Sequence, residues 1–172
     1  MSVALSAQDI SRALTRISHE ILEKNQGSSN LVLLGIPTRG AHLATRISGI
    51  IAGIEGVEVP TGTLDITLFR DDLRLRPPRA IMPTNIPTSG IEGKDVVLID
   101  DVLYSGRTIR SALDALGEIG RPRTVQLAAL VDRGHRELPV KADFVGLSLS
   151  TTLQERIDTD FSKKGKEAVY LV

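Results

Sequence analysis

The stretch Val96–Thr108 (VVLIDDVLYSGRT) decides the fold, because it places two carboxylates and a glycine turn directly after an apolar run. The run at its start is mostly β-branched, which is typical of a strand buried in a parallel sheet. Asp100 and Asp101 fall where that strand leaves the sheet, and the ligands of open α/β sheets bind at this edge. After the turn at residues 105–108, an amphipathic run predicts a helix whose free N-terminal amides would face an anion.

This order of residue types suits a ribose 5-phosphate. Carboxylates repel phosphate but accept hydrogen bonds from vicinal hydroxyls, whereas helix amides and the Ser105 and Thr108 hydroxyls bind a phosphate. The competing interpretation is a buried strand that ends in an Asp-rich turn and binds no ligand. We favour the ligand site because the apolar run, the Asp pair and the Ser-Gly-x-Thr turn occur together in this order.

Composition and charge limit the function classes. The chain has 172 residues, 41% hydrophobic and 24% charged, and no linker-like break, so we expect a single globular domain over residues 1–172. The absence of cysteine excludes disulfides and thiolate metal sites. No apolar run approaches a membrane span or a signal peptide, so we expect a cytoplasmic protein with no membrane partner. Because the net charge is zero and aromatics are only 3%, any nucleic-acid binding must come from a local patch.

Residues Ser6–Lys24 predict an amphipathic helix that begins at a Ser-containing cap. Opposite its apolar stripe, Arg12, Thr15, Arg16 and His19 fall within one arc. A solvated helix face is the simpler interpretation of these residues when they are taken alone.

A second buried strand is predicted at residues 31–36, followed by a short turn and a helix that runs through Ile50. The glycine spacing of the turn is that of a Walker A loop, but Ala41 and His42 stand where Lys and Ser/Thr should be, which excludes a P-loop nucleotidase. Turn amides and Arg39 could still bind an anion, and a generic turn between strand and helix is the alternative.

Residues 57–70 alternate between polar and apolar side chains, which predicts a strand. The alternation then stops, and Asp71–Gly90 is rich in arginine and proline, which predicts a protruding flap hairpin or mobile loop. Arginines on such a flap could close over a pyrophosphate and exclude water, and we favour Arg79 because Pro77 and Pro78 stiffen its approach. A merely solvated loop is an equal alternative for each arginine.

A further buried strand is predicted at residues 125–131, and it again ends in charged residues. Alternation of strands and helices predicts an α/β fold with a parallel sheet and helices on both faces. The loop after this strand therefore lies at the same sheet edge as Arg39 and Asp100. The tail from Ala142 to Val172 contains short strands that could form a small cap over this edge.

The stretch 96–108 resembles the phosphoribosyl pyrophosphate (PRPP) signature of type I phosphoribosyltransferases. Together with four flanking segments, it makes the chain from about residue 5 to 157 resemble the PyrR family, which comprises pyrimidine operon attenuators that are also uracil phosphoribosyltransferases. The flanking segments are TRISHE (15–20), GIPTRG (35–40), DITLFRDDL (65–73) and VDRGHRELP (131–139).

The resemblance implies a type I phosphoribosyltransferase fold. That fold has a central, mainly parallel sheet flanked by helices, a flap at about 71–90, and a hood formed by about 133–172 with the N-terminal region. It also implies a glycosyltransferase reaction in which uracil attacks C1 of PRPP, releasing diphosphate and leaving UMP. Mg²⁺ is the implied cofactor, held mainly through PRPP and water rather than by protein ligands.

The resemblance further assigns site residues. The implied catalytic residues are Asp100, Asp101, Arg39 and Arg79. The implied substrate-binding residues are these four together with Thr38, Gly40, Val102, Leu103, Tyr104, Ser105, Gly106, Arg107, Thr108, Arg133 and Ile157.

The family also binds the mRNA leader of pyrimidine (pyr) genes on a basic face of its dimer and responds to UMP and UTP. This gives the exposed residues of the first helix a second interpretation, because a dimer doubles a modest patch of phosphate contacts. The implied RNA-binding residues are Arg12, Thr15, Arg16, His19, His135 and Arg136. We expect a homodimer, with a higher oligomer left open.

Two alternatives remain open from the sequence. One is a dedicated uracil-salvage enzyme without RNA regulation, and the other is a purine phosphoribosyltransferase, because no residue distinguishes uracil from hypoxanthine. The sequence also leaves transcription attenuation and translational repression as alternative modes of regulation.

Overall fold

The computed structural model describes residues 1–75 and 84–172. Its helices are α1 (Ala7–Asn25), α2 (Arg39–Glu55) and α3 (Arg107–Ile119). Its strands are β1 (Ser2–Leu5), β2 (Leu31–Gly35), β3 (Thr61–Thr63), β4 (Asp95–Leu103), β5 (Thr124–Asp132), β6 (Phe144–Ser148), β7 (Ile157–Asp160) and β8 (Ala168–Leu171).

The predicted parallel sheet is confirmed. It has five strands in the order β3-β2-β4-β5-β6, and every neighbouring pair is parallel. Strand β4, which opens with the apolar run of the quoted stretch, lies at the centre, where Leu98 pairs with Leu34 on one side and Leu127 on the other. The strands are parallel, so their carboxyl ends, and the loops that follow them, gather at one edge.

Helices cover both faces of this sheet, as predicted. Successive β4 residues point to opposite faces, so Val97 and Ile99 pack with α1 and α2, whereas Val96 and Leu98 pack with α3. All four side chains are at most 1% exposed. Burial on both faces explains why the strand is apolar at consecutive positions rather than at alternate ones.

The first helix begins where its sequence predicts. Ser6 is the N-cap, its hydroxyl accepts the Asp9 amide, and the Asp9 carboxylate accepts the Ser6 amide in return, which forms a capping box. The apolar stripe faces the sheet, and Arg12, Arg16 and His19 are exposed on the opposite side. Gln26, in the left-handed conformation with φ 54°, ends the helix.

The N-terminal residues and the tail form a second, three-stranded antiparallel sheet in the order β1-β8-β7. Neither β1 nor β7 is evident in the sequence, because each is only four residues long and β7 reads as the polar run IDTD. This sheet lies within the region predicted as the hood, and from here on the word hood refers to the three strands of this sheet.

The strand predicted over residues 57–70 is wrong for most of its length. Only Thr61–Thr63 forms a strand, and a 3₁₀ turn follows at Thr67–Phe69. Asp65 Oδ1 accepts hydrogen bonds from the Thr67 amide (3.2 Å) and hydroxyl (2.7 Å), and this local turn bends the chain out of the sheet.

Part of the flap predicted at Asp71–Gly90 lies outside the described residues. Arg79, Pro77 and Pro78 lie outside the described residues. On the near side, Asp71–Leu75 forms turns, and on the far side Asn85 pairs with Thr63 through two backbone hydrogen bonds of 2.9 and 3.0 Å.

Within the described residues, no helix combines the length and the apolar character needed to cross a membrane.

Candidate functional site

A cleft of about 570 Å³ lies at the carboxyl edge of the sheet, between the loops that follow β2 and β4. The structure brings several predicted site residues together there, although they come from separate parts of the chain. The predicted residues that line the cleft are Thr38, Arg39, Asp100, Asp101, Val102 and Thr108.

The two carboxylates at the end of β4 differ in environment. Asp100 is only 8% exposed, and its Oδ1 accepts the Asp101 amide at 3.0 Å. Burial raises the pKa of the Asp100 carboxyl well above its usual value, and the neighbouring Asp101 charge acts in the same direction. No ion pair within the described residues reaches Asp100. Asp100 is therefore compensated by a backbone amide but by no cationic side chain of the described residues.

Asp101 is held from two sides. Its Oδ2 accepts a hydrogen bond of 2.6 Å from the Thr159 hydroxyl, and the Arg39 guanidinium lies 3.8 Å from the same oxygen. Arg39 also lies 3.5 Å from a carboxylate oxygen of Asp158. Thr159 and Asp158 belong to β7, so the hood contacts two residues that line this cleft.

The turn before α2 explains the glycines that imitate a Walker A loop. A Cβ on Gly35 would collide with the backbone of Ala41, and one on Gly40 would collide with the carbonyl oxygen of Ile99. The glycines thus allow the first turn of α2 to lie directly against β2 and β4. Thr38 precedes the helix without capping it, and the peptide bond between Pro37 and Thr38 is cis.

The turn after β4 forms an open helix N-terminus. Gly106 is the N-cap of α3 with φ 91°, a conformation that favours glycine, and a Cβ there would also lie 3.0 Å from Val140. Gly106 itself has no side chain to cap the helix. The Arg107 amide donates to the Ser105 hydroxyl at 3.3 Å, and Thr108 is exposed. A helix N-terminus with two hydroxyls beside it is an arrangement that can bind a phosphate.

Three residues of the predicted binding stretch have side chains directed elsewhere. Leu103 is 2% exposed in the apolar core beneath α3. Arg107 donates to Glu137 at 2.7 Å and to Asp71 at 2.8 Å, so its side chain joins the turn to two other loops. The ring of Tyr104 lies under the Arg133 guanidinium, 4.2 Å from its centre. Leu103 can therefore serve a ligand only through its backbone, and the Arg107 guanidinium already pairs with two carboxylates.

Arg133 follows β5 and is unusually buried for an arginine, at 7% exposure. One terminal nitrogen donates to the Thr152 carbonyl oxygen at 3.3 Å, but its buried Nε has no hydrogen-bond partner within the described residues. Ile157, predicted to cover the base, is half-buried and packs against the core cluster beneath α1 and α2.

The predicted RNA-binding residues lie in two places. On α1, Arg12 is 3.8 Å from Asp9, the Thr15 hydroxyl donates to the Ser11 carbonyl, and His19 is exposed. Arg16 is exposed too, yet it donates to the carbonyl oxygens of Val145 (3.1 Å) and Gly146 (2.6 Å), which ties α1 to the edge strand β6. Its side chain therefore has a structural role as well.

The second place is the loop after β5. This loop lies beside the turn Ser105–Thr108, which we call the phosphate turn. His135 Nε2 lies 2.6 Å from the Thr151 carbonyl oxygen. Arg136 donates to the Asp132 carboxylate at 2.6 Å and to the Tyr104 and Val140 carbonyl oxygens. No hydrogen bond or ion pair in the described part of the chain joins this loop to the exposed face of α1.

From β7, sequence reasoning named only Ile157 and missed Asp158 and Thr159, and it gave no role to the segment before the flap. Asp65, Thr67 and Arg70 line the cleft, whereas Thr159 and Asp158 contact Asp101 and Arg39 from the hood. The motif at 65–73 was the available indication for the first group, and no motif indicated the second. Among the described residues, no group of three or more His, Asp or Glu side chains is arranged to hold a metal ion.

The phosphoribosyl transferase domain family matches residues 4–159. A Streptomyces coelicolor protein named bifunctional protein PyrR is 56% identical over 168 residues, covering 97% of this chain and 87% of its own. A protein of the same name from Leifsonia xyli is 58% identical over 173 residues, covering 97% of this chain and 94% of its own.

Solved structures with the same fold are more distant in sequence. The hypoxanthine phosphoribosyltransferase of Trypanosoma cruzi in complex with IMP superimposes with a TM-score of 0.74 at 14% identity, covering 99% of this chain and 92% of its own. A hypoxanthine-guanine phosphoribosyltransferase from Bacillus anthracis gives 0.72 at 13% identity, covering 100% and 98%. At such identities the likeness establishes the fold and carries no information about the base.

Proposed function

The chain belongs to the PyrR family of phosphoribosyltransferases, and from this premise we propose that it is bifunctional. One activity is the formation of UMP and diphosphate from uracil and PRPP. The other is binding of the pyr mRNA leader, through which the protein regulates pyrimidine biosynthetic genes in response to UMP and UTP. The proposal places it in the cytoplasm as a homodimer, with transcription attenuation as the mode of regulation.

The Asp100–Asp101 pair near the carboxyl end of β4, together with the start of α3 six residues further on, carries the enzymatic half of the proposal. Carboxylates suit the ribose hydroxyls, and the amides of the turn Ser105–Thr108 suit the 5-phosphate. Arg39, which lines the same cleft beside Asp101, suits the pyrophosphate. Arg79 stays a proposed pyrophosphate contact on the strength of the sequence alone.

The chemistry asks for orientation and charge stabilisation more than for a strong base. Attack on C1 passes through an oxocarbenium-like centre, which nearby carboxylates stabilise. The buried Asp100 carboxyl suits this role, because ligand hydroxyls would add hydrogen bonds to the one that the Asp101 amide donates. Binding of the sugar then favours the ionised form at the moment when positive charge develops.

Mg²⁺ fits this site as a partner of PRPP. The half-buried Asp101 carboxylate lines the cleft and can accept hydrogen bonds from metal-bound water. When bound, the ion neutralises pyrophosphate charge and so eases its departure. The residues of the chain then bind and orient the sugar.

Arg133 is the proposed neighbour of the nucleotide. Its Nε is buried without a partner, and such a donor is stabilised when a ligand oxygen accepts from it. The guanidinium already lies over Tyr104 of the phosphate-binding stretch, which fixes its position beside the site. Ile157 stays a prediction as the residue that covers the base.

The RNA half of the proposal rests on family membership together with the exposed basic face of α1. Arg12, Arg16 and His19 provide charge and donors there, and a dimer presents two copies of the patch. His135 and Arg136 extend the candidates to the loop beside the phosphate turn, where a bound nucleotide could influence them.

One pair of assays tests both halves. We expect wild-type protein to form UMP from uracil and PRPP with Mg²⁺ and to bind its own upstream mRNA leader more tightly with UMP present. By reciprocity, RNA should then tighten UMP binding to the same extent. UMP formation without leader binding would leave a dedicated salvage enzyme, whereas use of hypoxanthine in place of uracil would overturn the assignment of the base.

The double change Arg16→Gln and His19→Gln tests the proposed RNA face. We expect weaker leader binding and a salt slope reduced by roughly one unit, because one phosphate-facing charge is lost. Filter binding over a salt series measures both quantities, and thermal unfolding checks that the fold tolerates loss of the hydrogen bonds from Arg16 to β6.

Lys24→Gln is the matched control, because it removes a charge from the far end of the same helix, where Lys24 pairs with Asp143. If the double variant and the control bind RNA like the wild type at every salt concentration, the face of α1 is only solvated.

A further inference from the structure

Thr159 connects the hood to the end of β4. It lies in β7, is 2% exposed, and donates a 2.6 Å hydrogen bond from its hydroxyl to Asp101 Oδ2. Its backbone is fixed by antiparallel pairing with Val169 of β8. A short hydrogen bond from a buried, backbone-fixed hydroxyl to a charged acceptor is among the stronger contacts in proteins.

The Thr159 hydroxyl is closer to Asp101 Oδ2 than the nearest cationic group is. The Arg39 nitrogen is 3.8 Å from the same oxygen, which is too long for a hydrogen bond. The Thr159 hydroxyl is the donor in this contact, and Asp101 Oδ2 accepts from it. A hydrogen bond to Oδ2 from a backbone-fixed residue restricts rotation of the carboxylate group.

We propose that Thr159 is a positioning residue, whose hydroxyl holds the Asp101 carboxylate in the orientation that accepts the ribose hydroxyls of PRPP and UMP. This inference rests on the proposed function, because it assigns the Asp101 carboxylate to the sugar. It makes the hood a part of the sugar site rather than a cover alone.

The role differs from general support of the fold, because it acts only through the sugar hydroxyls. Loss of the Thr159 hydroxyl should therefore weaken ligands that carry vicinal hydroxyls and spare a ligand that lacks them. UMP and 2′,3′-dideoxyuridine 5′-monophosphate form such a pair, since they share the base and the phosphate.

The experiment is calorimetric titration of both nucleotides into wild type, Thr159→Val and Thr159→Ser, with Thr159→Ala as the second hydroxyl-free variant if Thr159→Val folds poorly. We expect Thr159→Val to bind UMP about tenfold more weakly, the loss typical of one charged hydrogen bond. Its affinity for the dideoxy nucleotide should equal that of the wild type, and Thr159→Ser should restore UMP binding. In an Asp101→Asn background, Thr159→Val should add no further loss.

Equal weakening of both nucleotides would mean that Thr159 only supports the fold, and unchanged UMP binding would mean that its hydroxyl is dispensable. Either result overturns the proposal. Additive losses in the double variant would overturn it as well. If wild-type protein bound neither nucleotide, the proposed function itself would fail, which separates that outcome from the other three.

Discussion

The two ends of β4 carry buried carboxylates in opposite situations. At the amino end, Asp95 is 2% exposed and accepts hydrogen bonds from the Arg123 guanidinium, the Thr124 hydroxyl at 2.8 Å and the Asn30 amide at 3.3 Å. These partners, Arg123 foremost, lower the pKa of Asp95 to about 2. At the carboxyl end, burial raises the pKa of Asp100, whose described hydrogen bond comes from one backbone amide.

The difference separates a carboxylate with a structural role from the one that we propose binds the sugar. The chain satisfies Asp95 completely, so its charge stabilises the fold, whereas it leaves Asp100 costly to ionise until a ligand supplies donors. Both residues lie on one strand and both are buried, so burial alone does not identify a site. What distinguishes them is the number of hydrogen-bond and ion-pair partners that the chain provides.

The largest expected effect is on stability at the amino end. Asp95→Asn removes the charge that Arg123 and Thr124 bind, and we expect the free energy of unfolding at pH 7 to fall by about 2–4 kcal/mol. Urea unfolding measures this change. Asp114→Asn, an exposed carboxylate on α3, is the control and should change stability by no more than about 0.5 kcal/mol. If both variants changed the free energy of unfolding equally, the claim that Asp95 stabilises the fold would be wrong.

The pH dependence sharpens the same contrast. Because the pKa of Asp95 is lowered from 3.8 to about 2 on folding, its stabilising contribution is present above pH 3.8 and is lost as the pH falls through 2. The stability difference between wild type and Asp95→Asn should therefore shrink steadily in urea titrations taken from pH 5 down to pH 2. A difference that stays constant over this range would show that the charge of Asp95 is not what stabilises the fold.

A smaller effect of opposite sign is expected at the carboxyl end. The pKa of Asp100 is raised by burial, so ionising it costs stability once the pH rises above 3.8 and through its raised pKa. Asp100→Asn removes that cost, and the variant should gain stability relative to wild type at pH 7 but not near pH 3.5. Unfolding curves at the two pH values measure the gain, and a loss of stability at pH 7 would contradict the account of this residue.

The sequence predicts the core of this fold because its signals are local. The burial of β4 is visible in its consecutive apolar residues, and that of α1 in its capped amphipathic pattern. Together these local patterns predict a parallel sheet covered on both faces. The prediction fails over residues 57–70, where alternation alone suggests a strand. There, hydrogen bonds from Thr67 to Asp65 turn the chain instead.

The candidate site was predictable only in part, for a related reason. Asp100, Asp101 and the phosphate turn belong to one continuous stretch, so a single motif brings them together. The contact between Asp101 and Thr159 joins residues far apart in the chain and depends on β7 pairing with β8, which no local pattern encodes. For the same reason, the sequence did not predict the hydrogen bonds from Arg16 to β6, which join residues far apart in the chain.

The central claim is that the carboxyl end of β4 binds the sugar of PRPP, and the rate of UMP formation in Asp101→Asn tests it most directly. Exchanging an anionic acceptor for a neutral amide should lower the PRPP-dependent rate roughly tenfold to a hundredfold while the fold stays intact. Asp95→Asn, assayed below its unfolding temperature, should keep the wild-type rate. Wild-type kinetics in Asp101→Asn, or an equal loss in both variants, would contradict the account.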